Sequence, residues 1–302
     1  MKILITGSSG LVGKALVQEL KRAGHTVCRL VRPGTLDTGS DSAGFDVQWD
    51  PATGELGGAA VGADAVVNLA GAPIADARWS QSRKKVLRTS RVDNTRALVQ
   101  ALERMAARPG VLVSASAVGI YGNRGDEILS EESAPSSDFL GALATEWEEE
   151  ALKAEALDIR VVRARFGIIL AKQSGALPAM MKPFQLGLGG KLGTGQQWMS
   201  WITINDVVAI LKYALQDRGV RGAINVVSPR PVRNVEFTKV LADTMNRPAF
   251  LGAPAFALRL ALGEMADGML LASERVQPAL LEKLGYRFQH PDLRGALQSV
   301  LA

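Results

Sequence analysis

This chain predicts an α/β fold, a Rossmann-like doubly wound parallel sheet with a smaller, mostly helical C-terminal lobe, and three observations carry that expectation. A short β-branched run, Lys2–Thr6, enters a turn punctuated by Gly7, Gly10 and Gly13. Strand-like and helix-like stretches then alternate as far as Arg165, the pattern of a sheet covered on both faces. The length of 302 residues suffices for one large domain and a lobe.

The first stretch sets the chemistry. Leu11, Ala15, Leu16 and Leu20 recur at helical spacing, so the glycines lie between a strand and a helix. Gly7 allows a sharp turn, Gly10 lets the backbone approach a pyrophosphate, and Gly13 lets the helix lie tight on the strand. Free amides at the helix start would face phosphates. Gly7, Ser8, Gly10, Leu11, Val12 and Gly13 are therefore expected to bind a dinucleotide, against the plainer alternative of a tight βα turn.

A second strand, His25–Val31, ends at Arg32, Pro33 and Gly34, with no Asp or Glu from His25 to Leu36. An acidic residue there would accept from a ribose hydroxyl, whereas an arginine suits a 2′-phosphate. Arg32 thus favours NADP(H), unless it is simply exposed before a turn. Asp46–Trp49 reads as a third strand, with Asp50 at the adenine edge. A fourth, Ala65–Leu69, gives way to Ala70 and Gly71, small residues that let a cofactor lie on the backbone. A long helix is expected over Ser80–Ala107, a strand over Val111–Ser114, a helix over Phe139–Leu157 and a strand over Ile159–Arg165. Leu69, Ala70, Gly71, Ser114 and Ala115 complete the expected cofactor contacts.

Beyond Phe166 the pattern loosens. Leu186–Gln197 is glycine-dense and reads either as a mobile loop near the cleft or as a linker. Ile204–Leu215 reads as a helix capped by Asn205 or Asp206, Ala223–Val227 as a strand and Asn234–Met245 as a helix. Residues 1–166, joined by 204–228, are expected to form the dinucleotide domain, and 167–203 with 229–302 the substrate-side lobe.

Hydrophobic residues make up 47% and charged residues 22%, as in ordinary globular enzymes. No apolar run is long enough to span a bilayer, Met1 leads straight into a strand, and the single Cys28 permits no disulfide framework, so a cytoplasmic protein is expected. With Cys28 alone, and His25 and His290 far from any implied site and read as structural, no metal site is expected. The net charge of +5 raises nucleic acid as a partner, but the dense basic set (Arg83, Lys84, Lys85, Arg88, Arg91, Arg96) lacks aromatic interleaving and reads as a solvated helix face or, failing that, as an attractor of an anionic substrate or cofactor. A small-molecule substrate is the expected partner, and a homodimer stays open.

Motifs along nearly the whole chain resemble the extended and atypical short-chain dehydrogenase/reductases, in particular epimerase-family proteins with a short helical C-terminal domain. They run from ITGSSGLVG through NLAGAPI, SASAVGIYG, WEEEA, WITINDVV and NVVSPRPVRN to LGYRF. The resemblance implies a serine after strand five assisting a Tyr-x-x-x-Lys pair on the next helix, whose tyrosine donates or accepts a proton. Ser116 matches the serine. The tyrosine and lysine positions hold Leu140 and Ala144, neither of which titrates. Tyr121 is left as the provisional proton relay, against a packed or turn-forming role; Arg78 and Arg91 are candidates for stabilising charge, and Glu148 and Glu149 read as a solvated helix surface. Two functions stand: an NADP(H)-dependent oxidoreductase or epimerase, or a nucleotide-binding regulatory protein that has lost catalysis.

Overall fold

The computed structural model describes residues 1–34 and 44–302. The strands are β1 (Lys2–Thr6), β2 (Thr26–Val31), β3 (Gly44–Asp50), β4 (Glu55–Leu56), β5 (Ala65–Asn68), β6 (Val111–Ala117), β7 (Ile128–Leu129), β8 (Arg160–Phe166), β9 (Ile168–Leu170), β10 (Trp198–Met199), β11 (Trp201–Thr203), β12 (Gly222–Val226), β13 (Val232–Arg233) and β14 (Arg275–Val276). The α-helices are α1 (Leu11–Arg22), α2 (Gln81–Arg88), α3 (Asn94–Glu103), α4 (Phe139–Leu152), α5 (Ala176–Gln185), α6 (Ile204–Gln216), α7 (Asn234–Met245), α8 (Ala255–Leu262), α9 (Ala279–Lys283) and α10 (Leu293–Leu301).

Eight strands form the main sheet in the order β12-β8-β6-β5-β1-β2-β3-β4, parallel except for the terminal β3–β4 pair. The chain winds outward from β1 in both directions, so the crevice beyond the carboxyl ends of β1 and β5 is the topological switch point, where ligands of doubly wound sheets bind. Ile3, Ile5, Val67 and Val113 face α1 and α6, while Leu4, Val66 and Leu112 face α3. The central strands β1, β5 and β6 bury both faces, which explains why their sequences are largely apolar rather than alternating.

Several expectations need correction. The stretch foreseen as one helix over Ser80–Ala107 is α2 and α3 joined by a π-helical segment, Thr89–Asp93, and it stops at Glu103. Helix α4 ends at Leu152 and tightens into a 3-10 turn, closed by Asp158 at φ 62°. The residue capping α6 is Thr203, whose Oγ1 accepts from the Asp206 amide. Asp206 is buried instead, and its carboxylate accepts from the Gln289 and His290 amides and the Thr203 hydroxyl. Leu186–Gln197, read as a loop or a linker, contains no helix or strand; its Leu192 amide donates to Asn234 Oδ1, and Gln197 Nε2 donates to the Leu192 and Leu270 carbonyls.

The C-terminal part packs α5, α7 and α10 around Trp201, which is fully buried. A further short limb returns to the main domain, where β14 pairs in parallel with β7. Asp206 ties the segment between α9 and α10 to α6, so Asp206→Ala strands three donors. It is expected to cost about 2–3 kcal/mol, the scale of hydrogen bonds to a buried charged acceptor, as read from urea unfolding.

Candidate dinucleotide cleft

Gly7 adopts φ +65°, and a Cβ there would stand 2.5 Å from the Leu69 carbonyl oxygen. A Cβ on Gly13 would overlap the Gly7 carbonyl and lie 2.7 Å from Ser8 Cα. The turn is therefore a cradle with no spare room, set against the end of β5. No side chain caps α1 and its first turn carries no acidic residue, so the amides of Leu11, Val12 and Gly13 open onto the crevice at the positive end of the helix dipole. An anion fits there.

Behind the cradle lies a buried polar network. Thr6 Oγ1 donates to Asn68 Oδ1 and accepts from the Leu69 and Ala70 amides. Asn68 Nδ2 donates to Thr95 Oγ1 and Ser114 Oγ, and Trp147 Nε1 also donates to Thr95 Oγ1. It pins together the ends of β1, β5 and β6, with Leu69 and Ala70 half-buried at the crest and Ala115 buried beside Trp147. Gly71 packs on Arg91, where a Cβ would meet the guanidinium at 3.2 Å. Arg91 lies in the π-helical segment, donates to the Leu87 and Ala72 carbonyls and stacks on Trp147. Burial lowers its pKa to about 10. Single-turn π segments often mark functional sites.

At the adenosine side, Arg32 follows β2 and is exposed, while residues 35 and 36 lie outside the described residues. Asp50 closes β3, accepts from the Ala52 amide, and lines with Pro33 a cavity of about 610 Å³.

Ser116 and Tyr121 are not at the crevice surface. Ser116 is 3% exposed and its hydroxyl donates to Glu148 Oε1 at 2.7 Å. Tyr121 is 0% exposed; its hydroxyl donates to Asn225 Oδ1 and accepts from Arg165 Nη1. Burial, outweighing the Arg165 charge, raises its pKa above the ordinary phenol value. Both hydroxyls are held by buried partners.

The centre of that network is Glu148, which overturns the expectation of a solvated helix surface; Glu149 beside it is exposed. Arg165 engages Glu148 through two parallel bonds of 2.7 and 2.8 Å, and Arg163 adds a third at 2.8 Å. Burial pushes the Glu148 carboxyl up, but hydrogen bonds and charge from Arg165 outweigh it and hold it below the usual carboxylate range.

The basic set of α2 and α3 is used internally as well. Lys84 pairs with Glu264, Arg88 with Glu146, and Arg96 with Glu150 and Asp93. Arg78 donates to the Leu260 and Ala261 carbonyls at the end of α8, so it serves as a cap. Among the described residues no group of three His, Cys, Asp or Glu is placed to hold a metal, and no helix is long and apolar enough to cross a membrane.

A glycine cradle at the switch point of an eight-stranded doubly wound sheet defines a nucleotide-binding Rossmann-like protein. The sequence profile described as the NAD dependent epimerase/dehydratase family matches residues 3–227, and the chain belongs to that family. A second profile, a domain of unknown function (DUF1731), matches residues 253–300. The chain is 40% identical over 296 residues to the epimerase family protein MT2273 of Mycobacterium tuberculosis, covering 98% of this chain and 96% of that protein. It is 37% identical over 307 residues to the chloroplastic SDR39U1 homologue of Arabidopsis thaliana, covering 100% of this chain and 87% of the other. Among solved structures it is similar to human epimerase family protein SDR39U1 with NADPH: TM-score 0.86, 30% identity, covering 100% of this chain and 99% of that one.

Proposed function

We propose that this cleft binds NADP(H) and that the protein is an oxidoreductase or epimerase-like enzyme acting on a small polar substrate without the Tyr-x-x-x-Lys pair. The observation that carries the reading is the cradle: Gly7 and Gly13 with no room for a Cβ, facing an uncapped helix start at the switch point. The similarity to a human protein solved with NADPH supports the same coenzyme here. When bound, the coenzyme supplies two-electron hydride exchange. Gly7, Ser8, Gly10, Leu11, Val12 and Gly13 hold the pyrophosphate; Arg32 and Asp50 bracket the adenosine; Leu69, Ala70, Gly71, Ser114 and Ala115 support the rest. Ser116 and Tyr121, with hydroxyls held by Glu148, Arg165 and Asn225, are framework in this reading and do not relay the proton.

Denaturing the purified protein and identifying any released nucleotide by mass spectrometry tests the coenzyme directly. A fluorescence titration then tests its selection: Arg32→Asp is expected to erode the preference for NADPH over NADH by about 1–3 kcal/mol, the scale of a charge-assisted contact. An unchanged ratio removes Arg32 from the 2′-phosphate site.

A second reading, a nucleotide-binding regulatory protein without catalysis, is favoured by Leu140 and Ala144 together with the committed hydroxyls of Ser116 and Tyr121. Tight NADPH binding with no consumption across a broad carbonyl panel would select it.

A further inference from the structure

Helix α4 has lost both titrating groups, and the space is refilled from the far end of the chain. Ala144, at the lysine position, is buried among Val118, Ile120, Tyr121, Leu129 and Val276, the last contributed by β14. Two residues before Val276 stands Glu274. A Cβ added to Gly119 would find Leu140 Cδ1 at 3.3 Å and Glu274 Oε1 at 4.0 Å. The Glu274 carboxyl therefore lies over the loop that follows β6, beside the residue occupying the tyrosine position.

We propose that Glu274 is the acid–base group of this cleft, a carboxyl brought in by the C-terminal limb to do the work of the absent tyrosine and lysine. The assignment rests on the dinucleotide reading above. Three features support it. The backbone is pinned on both sides: the Glu274 amide donates to the Trp198 carbonyl, and Ser200 Oγ donates to the Glu274 carbonyl while accepting from the Val276 amide. Such placement gives a catalytic carboxyl a fixed position. Second, among the described residues its carboxylate forms no hydrogen bond or ion pair, although Glu148, Glu150 and Asp206 are all paired. Third, Leu140, beside the Glu274 carboxyl, packs in the cluster that also holds Leu69, Ala115 and Phe166 at the strand ends, which sets the carboxyl at the same end of the sheet as the cradle.

The electrostatics agree. Burial, helped by the Asp138 charge, raises the Glu274 pKa to about 8, so the group is mostly protonated at neutral pH and poised to give or take a proton. Neighbouring charges are otherwise engaged: Arg275 and Arg233 stack on Trp198, Asp126 accepts from Trp198 and Arg233, and Asp267 pairs with Arg259. In the reducing direction a substrate carbonyl carbon gains hydride from the reduced dinucleotide. The carbonyl oxygen takes the Glu274 proton, giving an alcohol, the oxidised dinucleotide and a Glu274 carboxylate that water reprotonates. The reverse direction runs the same balance backwards.

Calorimetry of NADP⁺ and NADPH binding to the full chain at pH 7.5, in phosphate and in Tris, reads proton release without any substrate. The cationic ring of NADP⁺ favours the Glu274 carboxylate, so wild type is expected to release about half a proton per NADP⁺ and close to none with NADPH. Glu274→Gln, which mimics the neutral acid in size and charge, is expected to abolish that release while still binding NADPH. Equal release from variant and wild type, or none from a wild type that binds NADP⁺, overturns the assignment. No heat with either coenzyme overturns the dinucleotide reading and the assignment with it. A carboxyl carbon resonance of the wild type titrating near pH 8, and moving to lower pH on saturation with NADP⁺, provides the check that needs no variant; a Glu274 resonance titrating in the ordinary carboxylate range overturns the proposal.

Discussion

Glu148→Ala is expected to destabilise the protein by about 3–5 kcal/mol, because it leaves the buried Arg165 without a counter-ion. The Arg165 side chain is 7% exposed and that of Arg163 20%, so water reaches neither freely. The loss is larger than the pair's own net worth, since the intact pair had already repaid much of its desolvation and the orphaned guanidinium has not. Glu148→Gln keeps the volume but not the charge and is expected to fall between wild type and alanine. Urea unfolding monitored by far-UV dichroism measures both, and a change below about 1 kcal/mol in the alanine variant would be the value of an exposed pair, showing that Glu148 does not anchor the network.

The same carboxyl predicts a pH signature. Its folded pKa lies below the ordinary value, so its stabilising contribution is fully present above the unfolded pKa, near 4.3 for a glutamate. That contribution is lost as pH falls through the depressed folded value. The stability gap between wild type and Glu148→Gln is therefore constant near neutrality and closes in acid.

Gly13→Ala is expected to abolish dinucleotide binding. The new methyl would meet the Gly7 carbonyl and Ser8 Cα, backbone atoms that cannot rotate away, so α1 must shift off β1 or the turn must open. Either movement displaces the amides of Leu11, Val12 and Gly13 that the proposed function assigns to the phosphates. Overpacking of this kind costs about 1–3 kcal/mol of stability, exceeding the roughly 1 kcal/mol that alanine gains over glycine in a helix. Fluorescence titration should find NADPH affinity reduced at least a hundredfold, about 2.7 kcal/mol, with the melting temperature lowered. Undiminished affinity would place the phosphates elsewhere.

What could be foreseen from the sequence follows from what is local. The cradle is written in seven consecutive residues, Gly7 to Gly13, and strand, turn and helix are all signalled within reach of one another. The ends of β5 and β6 were visible for the same reason, as small residues after apolar runs. Glu148 was misplaced because a Glu-Glu-Glu run reads as a solvated surface; its partners Arg163 and Arg165 lie on a neighbouring strand, and alternation there gave no hint of a buried pair. The π-helical break was hidden because an extra residue in a helix leaves residue types unchanged and moves only their faces. Arg91, Thr95 and Trp147 meet through it. Thr203 took the cap from Asp206 because Asp206 is drawn inward by amides more than eighty residues away. Glu274 stands in a segment with no spacing pattern that links it to Leu140.

The β14 limb also bears on how the protein comes into being. Residues 7–13 form the glycine turn at the start of synthesis, but Glu274, at the loop after β6, and Val276, packed on Ala144, are added more than 250 residues later. A nascent chain thus carries the glycine turn long before it carries the carboxyl. A premature stop or a proteolytic cut ahead of Ser273 would also take Leu281, Leu293 and Leu297 out of the two cores they fill, so the shortened chain is expected to lose stability along with the Glu274 carboxyl.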